Sequence, residues 1–145
     1  MHKVRTAETA EDIERCFDVM ALLRPHIRRE DFVDRILSQM QDGYRLTYIQ
    51  DQDIVVAVAG YRILSNLGLG KFLYVDDMVT HEDHRSKGFG KILLDWLIEE
   101  ARESGCSYLD LDSGVQRTDA HRFYEREGME RSSYHFRLRI DHERK

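Results

Sequence analysis

Arg85-Ser86-Lys87-Gly88-Phe89-Gly90 joins two segments of different periodicity. Before it, residues from about Phe72 to Thr80 read as a strand. After it, Ile92, Leu93, Trp96, Leu97 and Ala101 recur at helical spacing, and Gly105 stands where that helix should end. The six residues therefore lead into a helix N-terminus, where several backbone N–H groups have no intrahelical acceptor. Gly88 and Gly90 let the backbone approach an anion closely, and Arg85 and Lys87 add positive charge, so a pyrophosphate suits the segment. A P-loop is excluded because no G-K-[ST] follows at the required spacing, and a dinucleotide fingerprint because its third glycine is missing. A tight turn with solvated charges remains the alternative for so short a pattern.

Toward the N-terminus the pattern gives a short strand, Val4 to Ala7, and then a helix opened by Thr9 with Asp12 three residues on. Ile13, Cys16, Phe17, Met20 and Leu23 form its apolar face, and Pro25 closes it. A second helix carries Phe32, Val33, Ile36, Leu37 and Met40, with Gly43 at its C-terminal cap. From Tyr44 the period becomes two. Asp51-Gln52-Asp53 reads as a turn, Ile54 to Leu64 as a strand covered on both faces, and Ser65 to Gly70 as a loop. Downstream, Tyr108 to Asp112 is a strand able to pair in parallel with the strand from about Phe72 to Thr80, through a right-handed crossover over the helix between them. Asp119 to Glu127 is a short helix capped by Gly128, and Tyr134, Phe136, Leu138 and Ile140 predict a final strand.

The chain has 145 residues and shows no repeat or linker, which predicts a single domain over 1–145. Its apolar runs are too short to cross a bilayer, and its charged N-terminus shows no secretory signal, so a cytoplasmic protein is expected. A net charge of −5 argues against nucleic acid as the partner. Cys16 and Cys106 are far apart and read as reduced thiols. The histidines of His81-Glu82-Asp83-His84 are three apart in a turn, unlike a zincin's pair, and no metal is expected.

The chain resembles the GCN5-related N-acetyltransferase (GNAT) superfamily. That family's R-x-x-G-x-G signature stands here as Arg85, Gly88 and Gly90, and Tyr74 to Thr80 is similar to its fourth strand. Its A-x-x-F-Y-x-x-x-G-F signature stands as Ala120, Phe123, Tyr124 and Gly128, with Met129 in the last aromatic place. Glu82, Ser86 and Arg117 replace the family's usual proline, glycine and asparagine, and one strand is readable after Tyr124 where two are common. The resemblance implies an α/β fold: a mixed, largely antiparallel twisted sheet of about six or seven strands with flanking helices, splayed at strands 4 and 5. It also implies acetyl-CoA as co-substrate and direct transfer of an acetyl group to a primary amine on a small molecule or peptide, and it allows a homodimer. A catalytically silent acyl-CoA-binding sensor is the alternative.

By the same resemblance, backbone groups of Met78, Val79 and Thr80 align the pantetheine arm, while Arg85, Ser86, Lys87, Gly88, Phe89, Gly90 and Lys91 hold the pyrophosphate. Tyr124 is the expected general acid, since a phenol of pKa about 10 can protonate a departing thiolate of about 8.5; a core aromatic is its structural alternative. Alternation along a strand sends Asp76 and Asp77 to opposite faces, so only one should line the acceptor cleft. Resemblance to the polyamine acetyltransferase branch suggests Asp76 as a base acting through water. Asp77 would then attract a cationic amine, or fix a neighbouring loop.

Overall fold

The computed structural model describes residues 2–85 and 87–142, which divide into two units, Met1–Leu111 and Asp112–Lys145. In the first unit a five-stranded sheet has the order β1-β2-β3-β4-β5. Its strands are β1 (Val4–Thr6), β2 (Arg45–Asp51), β3 (Ile54–Asn66), β4 (Gly70–Thr80) and β5 (Tyr108–Leu111). The first four pair antiparallel, and β5 joins β4 in parallel through α4 (Phe89–Glu103). The expected mixed sheet is present, with five strands rather than six or seven.

Helix α1 (Ala10–Arg15) starts as the capping pattern predicts: the Asp12 N–H donates to Thr9 Oγ1 at 3.1 Å, and Asp12 Oδ2 accepts from the Glu8 N–H at 3.2 Å. The single helix expected up to Pro25 is broken into α1 and α2 (Phe17–Leu23). At the break the Cys16 N–H bonds Ile13 O, three residues back, which tightens the turn. The apolar stripe survives, because Ile13, Cys16, Val19 and Met20 are all buried in one core with Phe32 and Ile36 of α3 (Arg29–Gln41), Tyr44 just before β2, and Leu46 and Val58 of the sheet. On α4, Leu93, Leu94, Leu97 and Ala101 are buried, and Trp96 packs edge-on to Tyr61.

In the second unit, α5 (Thr118–Arg126) forms much as predicted and ends before Gly128 at φ +96°. The strand expected around Tyr134 to Ile140 is absent. Those residues have no ladder partner, and Tyr134, Phe136 and Leu138 are 83–91% exposed. Alternation marks a segment capable of being a strand, but a strand exists only where a neighbour accepts its hydrogen bonds. No helix among the described residues is long and apolar enough to cross a membrane.

Candidate functional site

Pairing on either side of β4 creates the first feature of the site. Strand β5 pairs with β4 only from Phe72 to Val75, whereas β3 follows β4 as far as Thr80. Met78, Val79 and Thr80 thus have a ladder on one side, opposite Ala59, Val58 and Ala57, and no strand on the other among the described residues. An open edge of this kind takes an extended ligand by main-chain hydrogen bonds.

The second feature is the entry into α4. A 3-10 turn, Glu82–His84, is capped by His81, whose Nδ1 accepts from the Asp83 N–H at 3.1 Å. Gly88 then caps α4 at φ +84°, ψ 6°, a left-handed conformation that costs other residues about 1–2 kcal/mol. Its N-terminus has no side-chain cap and no acidic residue in its first turn, and a Cβ on Gly88 would meet nothing within 4 Å. Gly88 therefore faces open space at the positive end of a 15-residue helix, whose first turn begins with the N–H groups of Phe89 and Gly90. This cradle fits a pyrophosphate.

The predicted cofactor residues do not all face that space. Phe89 is buried against His2, ring centroids 4.8 Å apart, so only its backbone can serve an anion. The Arg85 Nε turns back to the Thr80 carbonyl at 3.4 Å, and Lys91 pairs with Asp95 at 3.3 Å. Lys87 and Gly88 are exposed, while Ser86 lies outside the described residues.

A β-bulge makes the third feature and overturns the expected separation of Asp76 and Asp77. In the β3–β4 ladder Asp77 pairs with Gly60 and Val75 with Tyr61, which leaves Asp76 without an opposite residue. One extra residue cancels one alternation, so both aspartates border the same cavity of about 270 Å³. Both are tied. Asp76 forms a two-pronged ion pair with Arg62, with Nε to Oδ2 and Nη2 to Oδ1 each 2.8 Å. Asp77 accepts from Arg24 Nε and from Tyr44 Oη, also at 2.8 Å each, and Arg24 Nη2 donates to the Asp76 carbonyl at 2.9 Å. Burial, and then the neighbouring Asp77 charge, push the Tyr44 phenol well above its ordinary pKa, so it remains a donor.

Sequence reasoning missed Arg24, Tyr44, Gly60 and Arg62. Two signals were available: an arginine inside the apolar run of β3 needs a carboxylate partner, and a glycine inside a strand marks a bulge or a close approach. A Cβ at Gly60 would lie 1.7 Å from Tyr44 Oη. Gly60→Ala should therefore displace Tyr44 from Asp77 and cost about 1–3 kcal/mol by overpacking, measured as a lower urea midpoint. An unchanged midpoint would show that the ring yields freely.

Cys16 is fully buried, its Sγ 3.5 Å from the Asp12 carbonyl, and burial pushes its thiol up to about 12, outweighing the opposing charge of Arg15. It cannot present a thiolate to an acyl donor at neutral pH. Tyr124 belongs to the second unit, where it is the buried residue of α5; burial raises its pKa against the opposing effect of Arg117.

Comparison with known proteins bears on this geometry. The family model described as the acetyltransferase (GNAT) family matches residues 7–129. The uncharacterized N-acetyltransferase YhdJ of Bacillus subtilis (strain 168) is 32% identical over 139 residues, covering 94% of this chain and 98% of that protein. The aminoalkylphosphonate N-acetyltransferase of Salmonella typhimurium is 29% identical over 133 residues, covering 88% of this chain and 85% of that one. A solved structure of the aminoglycoside N-acetyltransferase AAC(6')-Iy in complex with CoA has the same fold, with a TM-score of 0.84 at 14% identity over 97% of this chain and 95% of that one.

Proposed function

Since the chain belongs to the acetyltransferase (GNAT) family, we propose that it transfers an acetyl group from acetyl-CoA to a primary amine of a small molecule by direct attack, within one catalytic domain. The observation that carries this reading is the pairing of an open β4 edge at Met78–Thr80 with an uncapped, acid-free N-terminus of α4. Main-chain groups of the edge would align the pantetheine arm, and the first turn of α4 from Phe89 to Lys91, with the exposed Lys87, would hold the pyrophosphate. Direct attack is favoured because Cys16, the first helix's thiol, is inaccessible and stays protonated. The relatives' names support a small amine as acceptor, since one of them acts on aminoalkylphosphonates.

Asp76 and Asp77 lie on the strand that runs into the open edge, so an amine bound in their cavity would approach the thioester carbonyl from β4. Arg62 engages both oxygens of Asp76, and Arg24 with Tyr44 engages both of Asp77. Each carboxylate then has only its remaining lone pairs for the incoming ammonium or for a water that carries its proton away. Tyr124 is assigned the proton for the departing thiolate. A homodimer would also cover the apolar residues Tyr134, Phe136 and Leu138, which stand exposed in the single chain.

Acetyl-CoA should raise the melting temperature, because only the folded chain presents the cradle; at about 100 times Kd the gain is about 2.7 kcal/mol. Differential scanning fluorimetry at millimolar acetyl-CoA checks it, and no shift sinks the assignment. A shift without thiol release from any amine would point instead to a sensor.

A further inference from the structure

Resting on the reading of this cavity as the acceptor site, we infer that the acceptor amine carries an anionic group, a carboxylate or a phosphate-like group, seated by Arg35, His26 and the spare nitrogen of Arg24.

The argument begins with what the cavity has left to offer. Its two carboxylates are already matched, Asp76 by Arg62 and Asp77 by Arg24. Arg35, His26 and Gln39 also line the cavity, and their side chains make no hydrogen bond or ion pair among the described residues. Arg24 commits Nε and Nη2 to the β4 wall and leaves Nη1 without a partner there. Arg35 and the Arg24 Nη1 can only donate, His26 and Gln39 can each donate as well, and after pairing the wall carries surplus positive charge in a protein whose net charge is −5. A polyamine would bring further positive charge to Arg24 and Arg35.

Placement gives the cavity a direction. The carboxylates come from β4, one and two residues before Met78, whereas Arg24 and His26 come from the connection between α2 and α3, and Arg35 from α3 itself. On α3, Phe32 and Ile36 are buried and Arg35 is exposed, so Arg35 stands over an apolar floor. A short zwitterion matches both ends, with its ammonium toward Asp77 and the thioester and its anion toward Arg35 and His26. At about 270 Å³ the space is slightly below the ~300–1,000 Å³ usual for ligand pockets, which suits a compact acceptor better than an oligosaccharide.

The test measures thiol release from acetyl-CoA with matched amines: 2-aminoethylphosphonate against ethanolamine, β-alanine against β-alaninamide, and spermidine. The anionic member of at least one pair should have the higher kcat/KM by about tenfold or more, and the preferred pair tells which anion is read. Arg35→Gln should raise KM for that amine by about 10–100-fold, the scale of one lost charge-assisted hydrogen bond, with kcat and the acetyl-CoA melting shift retained. Arg35→Lys should recover part of the loss. If spermidine or the uncharged amines are used as well as the anionic ones, or if Arg35→Gln leaves KM unchanged, the inference is overturned while the acetyl-transfer reading stands. Thiol release with no amine at all, despite a melting shift, removes that reading and this inference with it.

Discussion

Replacing Tyr124 with phenylalanine should lower kcat by about 10²-fold or more, the scale of lost general acid catalysis, while acetyl-CoA still raises the melting temperature by the parental amount. The ring and its packing remain, and only the proton donor goes. Burial raises the phenol above its ordinary value of about 10, so the acid keeps its proton at neutral pH. The sign follows: its neutral form is favoured in the folded chain, and both activity and stability from this group are present below about pH 10 and lost as pH rises through the folded-state value. The alkaline loss of kcat due to this group should vanish in the variant. Single-turnover measurement with an efficient acceptor separates chemistry from product release, and a parental rate there would leave Tyr124 as a packing residue.

Gly88→Asn and Gly88→Val should both weaken acetyl-CoA binding by about 10–100-fold, since a side chain would occupy space that the phosphates need and cost one or more charge-assisted hydrogen bonds. They differ in folding. Asparagine tolerates the left-handed conformation found at φ +84°, whereas valine should lose a further ~1–2 kcal/mol of stability. Calorimetric titration beside urea unfolding separates the two effects. If the asparagine variant binds acetyl-CoA like the parent, the glycine serves the turn alone.

Gly88 also illustrates why part of the site was legible from sequence. A glycine between a strand and an amphipathic helix is a local signal, and its consequence, a bare helix N-terminus, is equally local. The meander was legible for the same reason, through periods of two and turn residues such as Gln52 and Asp53, which adopt positive φ as a tight hairpin requires. Asp76 shows where this reasoning stops. Its face depends on where β3 slips past β4 at Gly60 and Tyr61, a property of two strands together. The break at Cys16 is a one-residue change in hydrogen bonding that leaves the apolar stripe intact. Residues 134–140 have the alternation of a strand without a neighbour to complete it. The acceptor cavity was the least legible, because Arg24, Tyr44 and Arg62 come from three distant parts of the chain and meet Asp76 and Asp77 only in the folded state.

The order of strands in the sheet is also their order along the chain, and this has a consequence for how the molecule is made. Strands β2, β3 and β4 are joined by connections of two and three residues, so their pairing closes short loops and should come early in refolding. Every residue assigned to the acceptor cavity precedes Met78, whereas the α4 cradle begins after Thr80 and β5 must wait for the whole of α4. On a ribosome, then, the carboxylates and arginines of the cavity have all been added to the chain before the phosphate-binding loop is translated.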